Sequence, residues 1–188
     1  MRNHQDRVLS SRYTTWKTFT CDDWRDDGTY PPTSSQRQWP GATTIDLPVK
    51  QYAVATEGDV QHLLWLLPTE MYKPDGVDVY LGWLPGASWT SGDYNFYLQY
   101  LGKSWPDGTV GSGTVTSIYI DQTPADATTL REDKLGSMTV ASTDDAIGMR
   151  IFTNVSGCSA DDVMEVAYVR FQYTAWRGGT AMHPQQKP

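Results

Sequence analysis

The chain is poor in the residues that most often carry chemistry. Its 188 residues include two cysteines and three histidines. Cys21 and Cys158 are too few and too far apart to form a disulfide framework. Either both thiols are reduced, or one bridge ties the N-terminal region to the body. His4, His62 and His183 do not fall at metal-ligand spacing, and no metal or cofactor is expected. The H-E-x-x-H, C-x-x-C, P-loop and G-x-S-x-G motifs are all missing. No apolar run approaches the roughly 18 residues of a membrane span. The longest, Leu63 to Leu67, is strand-sized, so no membrane partner is expected. Met1 to Asp6 lacks the apolar stretch of a secretory leader, and none is expected. Basic charge is also short: 15 Lys and Arg face 22 Asp and Glu, a net charge of −7. Phosphate backbones need clustered basic residues, so nucleic acid is excluded as the main partner.

What the chain does have is turn punctuation and strand-forming residues. Segments rich in Val, Ile, Thr, Tyr and Trp alternate with Gly, Pro, Asp and Ser clusters. Eight strands are predicted: Ala42 to Val49, Gln61 to Leu67, Val77 to Leu84, Asn95 to Lys103, Gly113 to Gln122, Thr128 to Ala141, Ile147 to Asn154 and Val163 to Ala175. Alternation is clear in Val77 to Trp83, where every odd position is apolar. Val163 to Phe171 reads as buried on both faces, or as buried on one and docked on the other. Ala125 to Lys134 is a weak candidate for a short helix, with Asp126 as its cap. Eight short strands with frequent turns and no fixed repeat predict an all-β fold, an antiparallel jelly-roll-type β-sandwich. The expected layout is an extended N-terminal arm over 1–40, a sandwich over 41–175, and a polar tail over 176–188.

The arm has the polar composition of a segment that cannot pack a core alone. Yet it contains Trp16, Phe19, Trp24, Tyr30 and Trp39. Two readings follow. The arm folds back and covers a sheet edge of its own sandwich. Alternatively, these aromatics anchor it to a partner, as Trp and Tyr do at interfaces. The second reading is the expectation.

Carboxylates are plentiful but give no enzymatic signature. Asp22-Asp23, Asp26-Asp27, Asp144-Asp145 and Asp161-Asp162 are pairs of the kind that bind turn backbones. Glycoside hydrolysis needs two carboxyls facing across a groove, and nothing in the spacing marks such a pair. Trp65, Trp83, Trp89 and Trp105 are the aromatics a sugar could stack on; Trp89 and Trp105, in loops, are the glycan platforms to consider. The acidic loop Asp22 to Gly28 lacks the calcium-loop register and carries Arg25 at its middle. His62, with no nucleophile in view, reads as a strand-edge residue rather than a base. A non-enzymatic protein is expected.

Three closing segments carry a family likeness. They are Leu135 to Val140, Gly148 to Asn154 with its apolar–Arg150–apolar pattern, and Asp162 to Tyr173, an acidic turn leading into a long strand that ends in Tyr. Together with Leu64-Trp65, Val77 to Trp83 and Asn95 to Gln99, they resemble the jelly-roll structural proteins of tailed-phage virions, the capsid decoration or cement family. The likeness covers roughly residues 60–175. It departs where the family has a second Arg in the penultimate strand, here Thr153 or Asn154. The resemblance implies a virion protein on the capsid surface, made in the host cytoplasm. It implies the major capsid protein as partner and a homotrimer as the assembly. The alternative it leaves is a tail or fibre component that binds host-surface glycan.

Overall fold

The computed structural model describes residues 12–29, 31–38, 46–53, 59–86, 93–104, 116–122, 129–156 and 163–176. These form eleven strands: β1 (Arg12–Thr20), β2 (Arg25–Asp26), β3 (Thr33–Gln38), β4 (Asp46–Ala53), β5 (Val60–Leu66), β6 (Val77–Pro85), β7 (Asp93–Lys103), β8 (Thr116–Gln122), β9 (Arg131–Met138), β10 (Ala146–Ser156) and β11 (Val163–Trp176). Two short 3-10 turns, Cys21–Asp23 and Lys73–Asp75, complete the elements. The strands lie in two sheets. Sheet A runs β3-β4-β11-β6-β9, and sheet B runs β2-β5-β10-β7-β8.

The strand order identifies the fold. β4 pairs with β11, β5 with β10, β6 with β9 and β7 with β8, all antiparallel. That nesting is one long antiparallel hairpin rolled up so that its strands alternate between two sheets. Pairing of β11 with β6 and of β10 with β7 closes the roll. The result is the jelly roll that turn spacing predicts. All eight predicted strands correspond to β4 through β11. Between the sheets lies one core containing Trp83, Phe96, Phe171, Leu81, Leu98 and Ile147. Inward residues of β6 are Val77, Val79, Leu81 and Trp83, the odd positions of the alternating run.

The sandwich starts at Arg12, well before the boundary expected after residue 40. β1 pairs along β11 from Arg12↔Trp176 to Thr20↔Tyr168, on the flank that β4 occupies farther along the strand. β2 joins β5 and β3 joins β4. Phe19 packs edge-on against Trp65 and Phe171, at 6.1 and 5.7 Å between ring centroids. Trp24 is 4% exposed and Cys21 is a buried free thiol. Thr20 and Asp23 bond to each other to close the 3-10 turn between them. The polar composition of 12–38 reflects strands that add to existing sheets and leave much of their surface in water. Such strands need few apolar residues.

Two further details differ from expectation. β11 reads as buried on both faces because it contains a bulge: its register with β6 shifts between Val166 and Tyr168. Met164 and Val166 face the core before it; Val169, Phe171 and Tyr173 face the core after it. On the other face, Glu165 is covered by Arg37 at 2.7 Å and by Gln51 at 3.0 Å. Of the helix candidate Ala125 to Lys134, residues 125–128, with the cap Asp126, lie outside the described residues, and Arg131 to Lys134 are strand residues paired with β6. Tertiary pairing overrides the local helical signal there.

Candidate functional site

Sheet B has one face on the core and one outward. Period-two alternation divides its residues cleanly. On β5, Gln61 and Trp65 are buried, whereas His62, Leu64 and Leu66 are exposed. On β10, Ile147, Met149 and Ile151 are buried, leaving Gly148, Arg150 and Phe152 outward. On β7, Phe96, Leu98 and Tyr100 are buried, and Tyr97, Gln99 and Leu101 alternate with them.

Strand register sets these outward residues in rows about 7 Å apart along the strands. The first row is Leu64, Gly148 and Leu101. The second is Arg25, His62, Arg150 and Gln99. The third is Val60, Phe152 and Tyr97. The first two rows line a groove of about 850 Å³. That lies within the range of about 300–1,000 Å³ typical of ligand clefts. Gly148 is the reason for the depression. It has no side chain, and a Cβ there would meet only the Leu101 carbonyl oxygen, at 3.9 Å.

The outer face of sheet B combines three kinds of contact. Leu64 and Leu66 leave 58% and 64% of their surface exposed, high for leucines in a strand. Phe152 and Tyr97 stack with centroids 5.2 Å apart and planes 10° apart. Arg150 donates from Nε to Gln99 Oε1 at 2.6 Å, with its guanidinium carbon 5.2 Å from the Phe152 centroid. Its other guanidinium hydrogens have no partner among the described residues. His62 Nε2 lies 3.4 Å from Asp27 Oδ2.

The outer face of sheet A is built differently, because its polar groups satisfy each other. Arg170 lies over Trp16 and Tyr168 and pairs with Glu132 at 3.1 Å. Tyr168 donates to Glu132 Oε2 at 2.8 Å. Burial and this bonded carboxylate push the Tyr168 phenol up to about 12. Tyr80 packs on Trp16 and donates to Gln172. Asp78 accepts from Ser137 and pairs with Lys134 at 2.8 Å.

The residues singled out in the sequence fall in different places. Trp16 is outward and 45% exposed, Phe19 is half-buried, and Trp24 belongs to the core, so Trp24 is no partner anchor. Tyr30, Trp39, Trp89, Trp105 and Cys158 lie outside the described residues. Trp65 and Trp83 are core residues and offer no sugar platform. His62 is not at a sheet edge; β5 lies between β2 and β10. The acidic loop Asp22 to Gly28 does not converge on a cation. Asp23 binds Thr20, Asp26 binds Lys50 and Gln61, and Asp27 binds Thr29 and His62. Among the described residues no group of three or more potential metal ligands forms.

The groove residues Arg25, Leu64, Gln99, Gly148 and Arg150 carry no ligand-binding motif, although all but Arg25 fall within the segments of the virion likeness. One signal was present: Leu64 and Leu66 occupy the polar side of an alternating strand. A leucine pair on that side marks an outward apolar patch.

No family model matches the chain, and no curated protein matches it. Among solved structures, it is similar to the CBM36-1 domain of a multidomain xylanase from the hindgut metagenome of Trinervitermes trinervoides. Identity is 9%, coverage is 88% of this chain and 98% of that one, and the TM-score is 0.46. It is also similar to the exo-β-1,3-galactanase of Phanerochaete chrysosporium, solved with galactose. There identity is 8% over 84% of this chain and 29% of that one, with a TM-score of 0.46. The jelly-roll assignment rests on the strand order itself.

Proposed function

We propose that the chain is a non-enzymatic glycan-binding module whose ligand surface is the outer face of sheet B. The groove opened by Gly148 carries this reading. A sugar ring has apolar C–H faces and a rim of hydroxyls. Leu64, Leu101 and the Phe152–Tyr97 stack suit the first; Arg150, Gln99 and His62 suit the second. The described residues that line the groove include no carboxylate, which favours binding over hydrolysis.

The test is a glycan array probed with the wild-type protein and with Gly148→Leu. A Cβ at Gly148 meets no obstruction, so the leucine fits the strand and projects into the groove. Replacing a strand glycine also removes a backbone-entropy cost of about 0.5–1 kcal/mol. The expected result is unchanged or raised thermal stability with at least about tenfold weaker binding, a loss of about 1.4 kcal/mol. Undiminished binding by Gly148→Leu would place the ligand elsewhere.

Trp16 favours a second reading. It is the most exposed of the described tryptophans and lies beside Arg170 and Tyr80, the residue types enriched at interface centres. On this reading the chain decorates a tailed-phage capsid as a trimer, contacting the major capsid protein through sheet A. Co-sedimentation with empty capsids, lost on Trp16→Ala, would support it. Sedimentation without the capsids would count against it.

A further inference from the structure

We infer that the groove on sheet B takes a saccharide carrying a carboxylate, held between Arg25 and Arg150. This deepens the glycan-binding reading and rests on it. The inference starts from charge. The protein as a whole is at −7, yet one row of its exposed sheet face is Arg25, His62 and Arg150, directly opposite one another on β2, β5 and β10. Arg25 and Arg150 flank His62 in that row, two cationic groups on an otherwise acidic protein. An acidic protein has ample means to neutralise such a row.

At its centre Asp27 sits 3.4 Å from His62. Among the described residues, neither Arg25 nor Arg150 forms an ion pair with a carboxylate. Of the other described arginines, Arg37 pairs with Glu165 and Arg170 with Glu132, while Arg12 and Arg131 lie over aromatic rings. The neighbouring Asp26 turns to Lys50 and Gln61. Arg25 and Arg150 therefore give one groove two cationic groups that pair with no described carboxylate.

The geometry selects among anions. The two arginines lie two strands apart, about 10 Å between main chains, with His62 between them, and both line the groove. Arg150 is held by Gln99 through Nε and by the Phe152 ring. Its guanidinium fork is therefore pre-oriented, and a planar fork matches a carboxylate through two parallel hydrogen bonds. The apolar row of Leu64, Gly148 and Leu101 runs alongside and would take a ring face. A uronic acid unit has both parts: a carboxylate at one end and an apolar face.

Calorimetric titration with oligogalacturonate and with its methyl ester tests this. The two differ only in the carboxylate charge. The expected result is binding of the acid at least about tenfold tighter than the ester, with the preference lost in Arg150→Gln and in Arg25→Gln; charged hydrogen bonds of this kind are lost at such a cost. Both variants should fold and unfold as cooperatively as the wild type, since both arginines are exposed on the outer face of sheet B. Equal binding of acid and ester, unaffected by either substitution, would overturn the carboxylate assignment while leaving the glycan groove standing. Binding of neither saccharide in any array would overturn both. Preference for a single-stranded oligonucleotide, which Arg and stacked aromatics also suit, would overturn it too.

Discussion

Cys21 shows how far a side chain's surroundings set its behaviour. The thiol is buried at the foot of β1, and burial, reinforced by the charge of Asp22, pushes it up to about 11. Only the thiolate is nucleophilic. In a Cys158→Ser background, alkylation in neutral buffer should therefore be slow in the folded protein and fast in denaturant. Equal rates would contradict the burial. Trp24 makes a related point. Its ring fills the core, but its Nε1 has no hydrogen-bond partner among the described residues. Trp24→Ala should cost about 3–5 kcal/mol in denaturant unfolding. Trp24→Phe should cost clearly less, because it also removes the unsatisfied donor. Asp78 supplies a pH dependence. Burial raises its carboxyl, but the hydrogen bonds from Lys134 and Ser137 outweigh this and hold it below its ordinary 3.8. A depressed carboxylate stabilises the fold above 3.8, and that contribution is lost as pH falls through the folded value. Asp78→Asn should therefore flatten the acid limb of the stability curve and leave its neutral-pH shape unchanged.

At the scale of elements, the sequence is most legible where one face is buried and the other wet. Val77 to Trp83 alternates perfectly, and β6 follows it. The turn before it is equally readable. Lys73-Pro74-Asp75-Gly76 needs its glycine, since Gly76 has φ of 70° and a Cβ there would lie 2.7 Å from the Met138 carbonyl oxygen. Legibility fails where alternation breaks or thins. The bulge at Ala167 reverses the inward parity of β11, so no single period fits the strand. β1 carries Thr, Lys and Arg on a strand that adds to the side of β11, and its inward contribution is mainly Phe19. A partner strand supplies the hydrogen bonds that make it a strand, and that partner is some 150 residues away. Deletion of residues 1–40 should accordingly unfold or strongly destabilise the sandwich, because it removes β1, Cys21 and Trp24 together. A truncated chain with the full melting transition would contradict this role.

For the whole molecule, the roll-up of one long hairpin creates both the fold and the groove. Arg25, His62, Gln99 and Arg150 span most of the chain length, yet the nesting of β5 with β10 and of β10 with β7 sets them in one row. Nothing local marks them, so the site could be read only once strand order was known. The same topology gives the molecule two unlike faces. Sheet A closes its charges on itself through Arg170, Glu132 and Tyr168, whereas sheet B leaves arginines, leucines and a glycine floor outward. Backbone-amide NMR during titration with oligogalacturonate reads these faces directly. The account predicts shift changes concentrated at His62, Leu64, Gln99, Gly148 and Arg150. Changes concentrated instead at Trp16, Tyr80 and Arg170 would contradict it.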